Sequence, residues 1–198
     1  MPFTDIKIMN MALGNVGHTQ FISALTELSA ERLVCTEYYD PAIQFVLEQF
    51  AWGFARKYVA LGLVEEEPNN DWAFAYRYPS DCVKVRRIVT ALGRREPNPP
   101  PFIIGQDDTG RLVYTDTEEA IVEITKLVTN TALFPAMFAE AVSWWLGGKI
   151  GPGLAKDRKQ ADRCFAMANR ILVSAEASDR NEAQDPPELE SEFTRARD

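Results

Sequence analysis

The 198-residue chain is 46% hydrophobic and 25% charged, which is the composition of a globular protein with a core of its own and excludes a wholly disordered chain. Its net charge of -8 disfavours a protein whose main task is to grip nucleic acid by counterion release. The three cysteines, Cys35, Cys82 and Cys164, are odd in number and widely separated, so neither a disulfide framework nor a Cys-x-x-Cys site is expected, and a reducing compartment is the default.

The N-terminus MPFTDIKIMNMALG lacks the charged-then-apolar layout of an export signal. Thr4 is positioned to cap a short first helix with apolar residues Ile8, Met9, Ala12 and Leu13, and Gly14 is its expected left-handed stop. Ser29 is positioned to cap a long second helix bearing Leu33, Val34, Tyr38, Ala42, Phe45 and Val46, with a kink or restart at Pro41.

Near Trp52 the apolar period shortens toward two. Strands are expected at Phe54–Leu63, Trp72–Tyr78, Cys82–Thr90, Phe102–Ile104, Arg111–Thr115 and Ala120–Val128, separated by the turn-forming segments EEEPNND, YPSD, GRREPNPPP and QDDTG. Short polar connections of this kind favour antiparallel pairing. Trp72, Phe74, Tyr76 and Tyr78 alternate with smaller or polar residues, giving one strand an aromatic face.

After Asn130 the helical period returns. Pro135 suits a first turn, a helix is expected over Ala136–Leu146, and Gly147–Gly153 reads as the break that ends it. The apolar run Phe134–Leu146, interrupted by Glu140, is shorter than the ~20 residues a membrane span requires. A last helix over about Ala155–Asp179 carries Ala161, Cys164, Phe165, Ala168, Ile171, Leu172 and Ala175 on one stripe. From Glu176 onward eight acids face three arginines, so most of the net charge belongs to the C-terminus, and residues 184–198 read as a flexible acidic arm.

The fold expectation is therefore α+β: a mainly helical bundle from residues 1–50 and 131–183, built from a short N-terminal helix, a long second helix and two C-terminal helices. An antiparallel β-sheet region is inserted at residues 51–130.

Catalytic chemistry finds little support. His18, the single histidine, sits in a Gly-Asn-Val-Gly loop with no evident partner. The Gly147–Gly153 segment fails the P-loop pattern, because Lys149 is followed by Ile150 and a helix precedes it. Glu65, Glu66 and Glu67 with Asp71, and Asp107 with Asp108, read as solvated turns, since neither cluster has calcium-loop spacing. The lone thiols read as small buried hydrophobes. No catalytic, cofactor or metal residue is assigned.

Two features invite contact with another chain. Lys84, Arg86 and Arg87, with Arg94 and Arg95 beyond them, form a basic segment that reads as a solvated sheet face or a contact for an acidic partner. Trp144 and Trp145 lie about 100° apart on one helix, so both cannot face inward, and Trp144 is a candidate for an interface between subunits.

In order, these segments resemble the head-to-tail adaptors of tailed bacteriophages, the tail tubular protein A family. The resemblance rests on the helix ending Ala12-Leu13-Gly14, Cys35 with Tyr38-Tyr39-Asp40, Leu47, and the Phe50-Ala51-Trp52-Gly53-Phe54-Ala55 segment. It continues through Trp72-Ala73-Phe74-Ala75-Tyr76-Arg77-Tyr78-Pro79-Ser80-Asp81-Cys82-Val83-Lys84-Val85-Arg86, a Phe134-containing helix and a long C-terminal helix, and spans residues 5 to 180. Pro41 and the Pro97–Pro101 run depart from the pattern.

The resemblance implies a structural virion protein without catalysis. Twelve copies would form a ring at the head-to-tail junction between the portal and the tail nozzle or tail tube, with genomic double-stranded DNA passing through the ring and no membrane partner. It makes the arm residues Phe193, Arg195 and Arg197 candidates for portal docking. A neck stopper or head completion protein is the nearest alternative; a small enzyme using the Trp72–Cys82 aromatic strand with Asp81 and Cys82 is a more distant one.

Overall fold

The fold was obtained as a computed structural model describing residues 2–69, 71–93, 96–155 and 158–182. It is α+β, with four α-helices and two antiparallel sheets among the described residues. The chain divides into two compact units, a helical one formed by Met1–Ala55 and Leu127–Asn181 and a β-rich one formed by Arg56–Lys126. The aromatic segment 51–55 and residues 127–130, expected in the β-rich region, belong to the helical unit.

In the helical unit, α1 spans Asp5–Asn15, and the Thr4 hydroxyl accepts the Lys7 N–H at 3.2 Å. The helix does not stop at Gly14. Gly17 takes the left-handed conformation (φ 76°), and the His18 N–H closes back on Leu13 O at 3.0 Å, satisfying a terminal carbonyl. Ser29 caps α2, Ala30–Gln49, by accepting the Arg32 N–H. The helix runs on through Pro41, whose missing N–H forgoes one backbone bond. Its buried line is Cys35, Tyr39, Ala42, Ile43, Val46 and Leu47, rotated from the expected face, so that Leu33 and Tyr38 are exposed. The Tyr39 hydroxyl donates to Asp5 Oδ1 at 3.1 Å and ties α2 to the start of α1.

The largest departure lies in α3, which spans Ala136–Leu154 without a break. Gly147, Gly148 and Gly151 are buried inside it, so the expected turn with a C-cap glycine is absent. Glycine costs roughly 1 kcal/mol relative to alanine in a helix. Here the missing Cβ atoms permit close packing: a Cβ on Gly147 would lie 3.3 Å from Ala12 O of α1, one on Gly151 would lie 3.5 Å from Ala161 Cβ of α4, and one on Gly148 would lie 2.5 Å from the Phe165 ring. The fourth helix, α4, spans Arg158–Glu182 and buries Ala161, Cys164, Ala168 and Ala175. The small residues meeting on α1, α3 and α4 set these close approaches. Gly148→Val is expected to destabilise the protein by about 1–3 kcal/mol through overpacking against Phe165, read as a lower midpoint in urea with an unchanged slope.

Between the helices an aromatic corner forms. Trp52 is buried, its Nε1–H donates to Val46 O at 2.9 Å, and its ring meets Phe138 edge-on with centroids 5.0 Å apart; Phe54 and Phe134 also pack on Phe138.

The β-rich unit contains β1 (Arg56–Ala60), β2 (Leu63–Asn69), β3 (Trp72–Arg77), β4 (Cys82–Val89), β5 (Ile103–Asp107), β6 (Gly110–Thr115) and β7 (Ile121–Lys126). They form a three-stranded sheet in the order β1-β7-β4 and a four-stranded sheet in the order β2-β3-β6-β5, all neighbours antiparallel. The single expected strand Phe54–Leu63 is replaced by a 3₁₀ turn at Gly53–Ala55, then β1 and the start of β2. Glu65, Glu66 and Glu67, expected in a turn, lie in β2, an edge strand with two register shifts. Charge and irregularity on an exposed edge discourage pairing with other chains.

The core of this unit joins Tyr76, Val85, Ile88, Val113, Ala120, Val122 and Ile124, with Phe74 packed against it. The Tyr76 hydroxyl, carried inward by its ring, donates to Thr117 O at 2.9 Å. At the β5–β6 hairpin Asp107 accepts the N–H groups of Thr109 and Gly110 and is held by both Arg77 terminal nitrogens, at 3.0 and 2.9 Å. The Arg77 guanidinium and the turn donors hold its carboxyl well below the usual range. Asp107 thus shapes a turn, as its sequence context implies.

Candidate interaction surface

In β7 the alternation Ile121-Val122-Glu123-Ile124-Thr125 sends Val122 and Ile124 into the core, leaving Glu123 and Thr125 on the opposite face of the three-stranded sheet. Across the ladder Tyr58 and Arg87 stand opposite Glu123, while Arg56 and Lys84 stand opposite Thr125. The register of β4 slips between Val85 and Arg87, so Arg86 is an inserted residue. Both Arg86 and Arg87 therefore reach the polar face: Arg86 Nε donates to Thr125 Oγ1 at 2.7 Å, and Arg87 Nε to Glu123 Oε2 at 2.8 Å. Arg87 Nη1 also donates to Gly93 O at 2.6 Å, fixing the turn after β4.

Glu123 is the centre of this face. It is only 4% exposed, and Arg56 Nε lies 3.0 Å from its other oxygen, Oε1. The angle makes that second contact an ion pair without a hydrogen bond, so Arg87 is the better directed partner. A buried carboxylate between two guanidiniums is stabilised by charge it could not find in an apolar interior. Arg56 and Arg87 at Glu123, with Arg86 bonded to Thr125 and Lys84 opposite Thr125, give a chain of negative net charge a locally positive sheet face.

Among the residues expected to contact other subunits, Lys84 is exposed, whereas Arg86 and Arg87 are half-buried and engaged with residues of their own unit. Trp144 belongs to the helical unit and is half-buried on α3. Its neighbour Trp145 stacks on Phe45 with centroids 3.7 Å apart and meets Phe165 edge-on at 4.8 Å, so Trp145 is the tryptophan built into helix packing. Phe193, Arg195 and Arg197 lie outside the described residues, as do Arg94 and Arg95.

Other titratable candidates are also held by neighbours. Contrary to expectation, His18 has a partner: its Nε2 lies 2.9 Å from Glu31 Oε1 at the start of α2. Glu31's carboxyl is lowered, first by its own backbone N–H and then by that histidine. Asp81 accepts from Lys57 Nζ at 2.9 Å, which lowers its carboxyl. Burial raises the Cys82 and Cys164 thiols and pushes Cys35 up to about 12, so all three are poor thiolates at neutral pH.

Sequence reasoning missed Glu123 and Arg56. The alternation in β7 marks Glu123 as outward-facing, but only strand order shows that β1 and β4 deliver an arginine from each side. The chain matches no protein-family model and no curated protein.

Proposed function

We propose that this protein is a structural component of a tailed-bacteriophage virion: a head-to-tail adaptor that forms a ring, of twelve copies, between the portal and the tail nozzle or tube. The observation that carries the reading is the order of the resembling segments and the structural work they perform. Tyr39 ties α2 to α1, Trp52 locks the end of α2 against Phe138, and the Trp72–Arg86 segment supplies β3 to one sheet and most of β4 to the other. In this reading the four helices act as a bundle that packs sideways into the ring body, with the β-rich region as its insertion. An acidic chain lining a channel lets double-stranded DNA slide without holding it.

A closed ring of identical copies requires two different complementary patches on each. The Arg56–Lys84–Arg86–Arg87 face and Trp144 are candidate contacts between subunits, and Phe193, Arg195 and Arg197 are candidate portal anchors. The small-enzyme alternative is disfavoured by its own named groups, because Asp81 is held by Lys57 and the Cys82 thiol is raised by burial. A neck stopper at the same junction remains the second reading, favoured by the same segments.

Mixing the protein with its portal and imaging the product is expected to give portal-bound rings with twelvefold symmetry. Removal of residues 184–198 is expected to leave a folded protein that fails to join the portal. A full-length chain that never binds portal sinks the adaptor reading; a truncated chain that binds unchanged sinks only the role of the arm.

A further inference from the structure

The polar face of the three-stranded sheet carries four cations, Arg56, Lys84, Arg86 and Arg87, and one carboxylate, Glu123, an excess of three positive charges. Part of its donor capacity is unspent. Arg56 approaches Glu123 through Nε, and Lys84, which is exposed, has no ion-pair partner among the described residues. A guanidinium carries five N–H donors and an ammonium three, so this face can hold further anions.

The ladder also fixes how the charges repeat. Lys84 and Arg87 stand opposite Thr125 and Glu123, two residues apart on β7, which sets them about 6.7 Å apart along the sheet. Arg56 and Lys84 flank Thr125 from the two edge strands, about 9.6 Å apart across it.

The same chain carries an anion of matching period. Beyond Glu182, where α4 ends, residues 185–192 read Asp-Pro-Pro-Glu-Leu-Glu-Ser-Glu, four acids without a base. Glu188, Glu190 and Glu192 alternate with Leu189 and Ser191, so an extended backbone places these three carboxylates on one side at the same interval of about 6.7 Å. Only residues 183–187 separate the three glutamates from the end of α4. A short flexible tether gives an effective concentration of about a millimolar, which favours the chain's own segment over that of a separate copy.

We propose that the acidic segment 185–192 docks on the polar face of its own chain's three-stranded sheet, with Glu188, Glu190 and Glu192 against the cations of that face. Phe193, Arg195 and Arg197 follow the segment and stay outside this contact, so their part in portal docking is a separate matter. The inference does not rest on the ring reading, because it holds or fails in an isolated chain.

Zero-length carbodiimide coupling of the full-length protein, read by mass spectrometry, tests it. The reagent joins a lysine only to a carboxylate in contact with it. Lys84 is expected to couple to Glu188, Glu190 or Glu192 about fivefold more often than the exposed Lys7 and Lys149 of the helical unit do. Most of that coupling is expected to vanish between 0.1 and 1 M salt, where the screening length falls from about 10 Å to about 3 Å. An equal mixture of chains grown on light and heavy nitrogen is expected to give Lys84 links of a single isotope, the mark of contact within one chain. Cleavage after Glu188 and Glu190 by a glutamate-specific protease is expected to be about fivefold faster in Lys84→Glu than in the wild type, with the melting temperature unchanged.

Links that carry both isotopes put the segment on a second copy and overturn the proposal. Arm carboxylates that couple to Lys7 or Lys149 as readily as to Lys84, the absence of any Lys84 link, or cleavage indifferent to Lys84→Glu overturn it as well.

Discussion

Replacing Glu123 by Ala is expected to destabilise the protein by about 3–5 kcal/mol, the cost of leaving buried charge without its partner. The substitution removes the carboxylate between Arg56 and Arg87, whose side chains are only 24% and 19% exposed, and leaves two guanidiniums facing each other across β7. At roughly 2–4 °C per kcal/mol for a chain of this size, the thermal midpoint should fall by on the order of 10 °C. Arg87→Ala should cost more than Arg56→Ala. Arg87 makes the directed hydrogen bond to Glu123 and also holds Gly93 O, whereas Arg56 makes an ion pair of poor angle. A triple replacement of Arg56, Glu123 and Arg87 by apolar residues of similar volume should recover most of the loss, because paired buried charges are costly to desolvate. Thermal melts of the four variants check the order, and a Glu123→Ala chain as stable as the wild type would remove Glu123 from the centre of this face.

The arginine pair at Glu123 also shows where sequence reading stops. Local rules were sufficient wherever the partner lay within a few residues: Thr4 and Ser29 cap their helices through N–H groups three positions away, and Asp107 closes its hairpin over the next three residues. The stripe of α4 was legible because small apolar and polar residues alternate cleanly along it. The face of α2 was not, since Leu33 and Tyr38 compete with Cys35, Tyr39 and Ile43 and only packing decides between them. At Gly147–Gly151 local preference pointed the wrong way. The intrinsic cost of glycine in a helix is real, but it is offset when the absent Cβ lets α1 and α4 approach to contact distance. The basic segment was visible as composition, yet its geometry depends on the inserted residue in β4, which turns both Arg86 and Arg87 onto one face. A pocket lined by Glu66, Glu118 and Glu119 was invisible for the same reason, because its lining comes from three separate stretches of chain, 60–66, 74–76 and 118–121.

Trp52 offers the sharpest test of the helical unit, since the shortening apolar period near it points to a strand, whereas the segment up to Ala55 belongs to the helical unit. Trp52→Ala is expected to cost about 3–5 kcal/mol, the range for deleting a large buried aromatic group. Three losses combine: the indole leaves a cavity, the edge-on contact with Phe138 disappears, and Val46 O near the end of α2 loses its donor. Trp52→Phe separates these effects. It keeps an aromatic ring beside Phe138 but removes the Nε1–H, so it should cost about 1–3 kcal/mol from the unsatisfied carbonyl together with partial loss of volume. Chemical denaturation of both variants, followed by far-ultraviolet circular dichroism, measures the difference. If Trp52→Phe destabilises as much as Trp52→Ala, the hydrogen bond to α2 is what holds the corner, and the aromatic packing contributes little. The expected result is the reverse: most of the energy lies in burying the ring system of Trp52, Phe54, Phe134 and Phe138, and the hydrogen bond fixes its position against the end of α2.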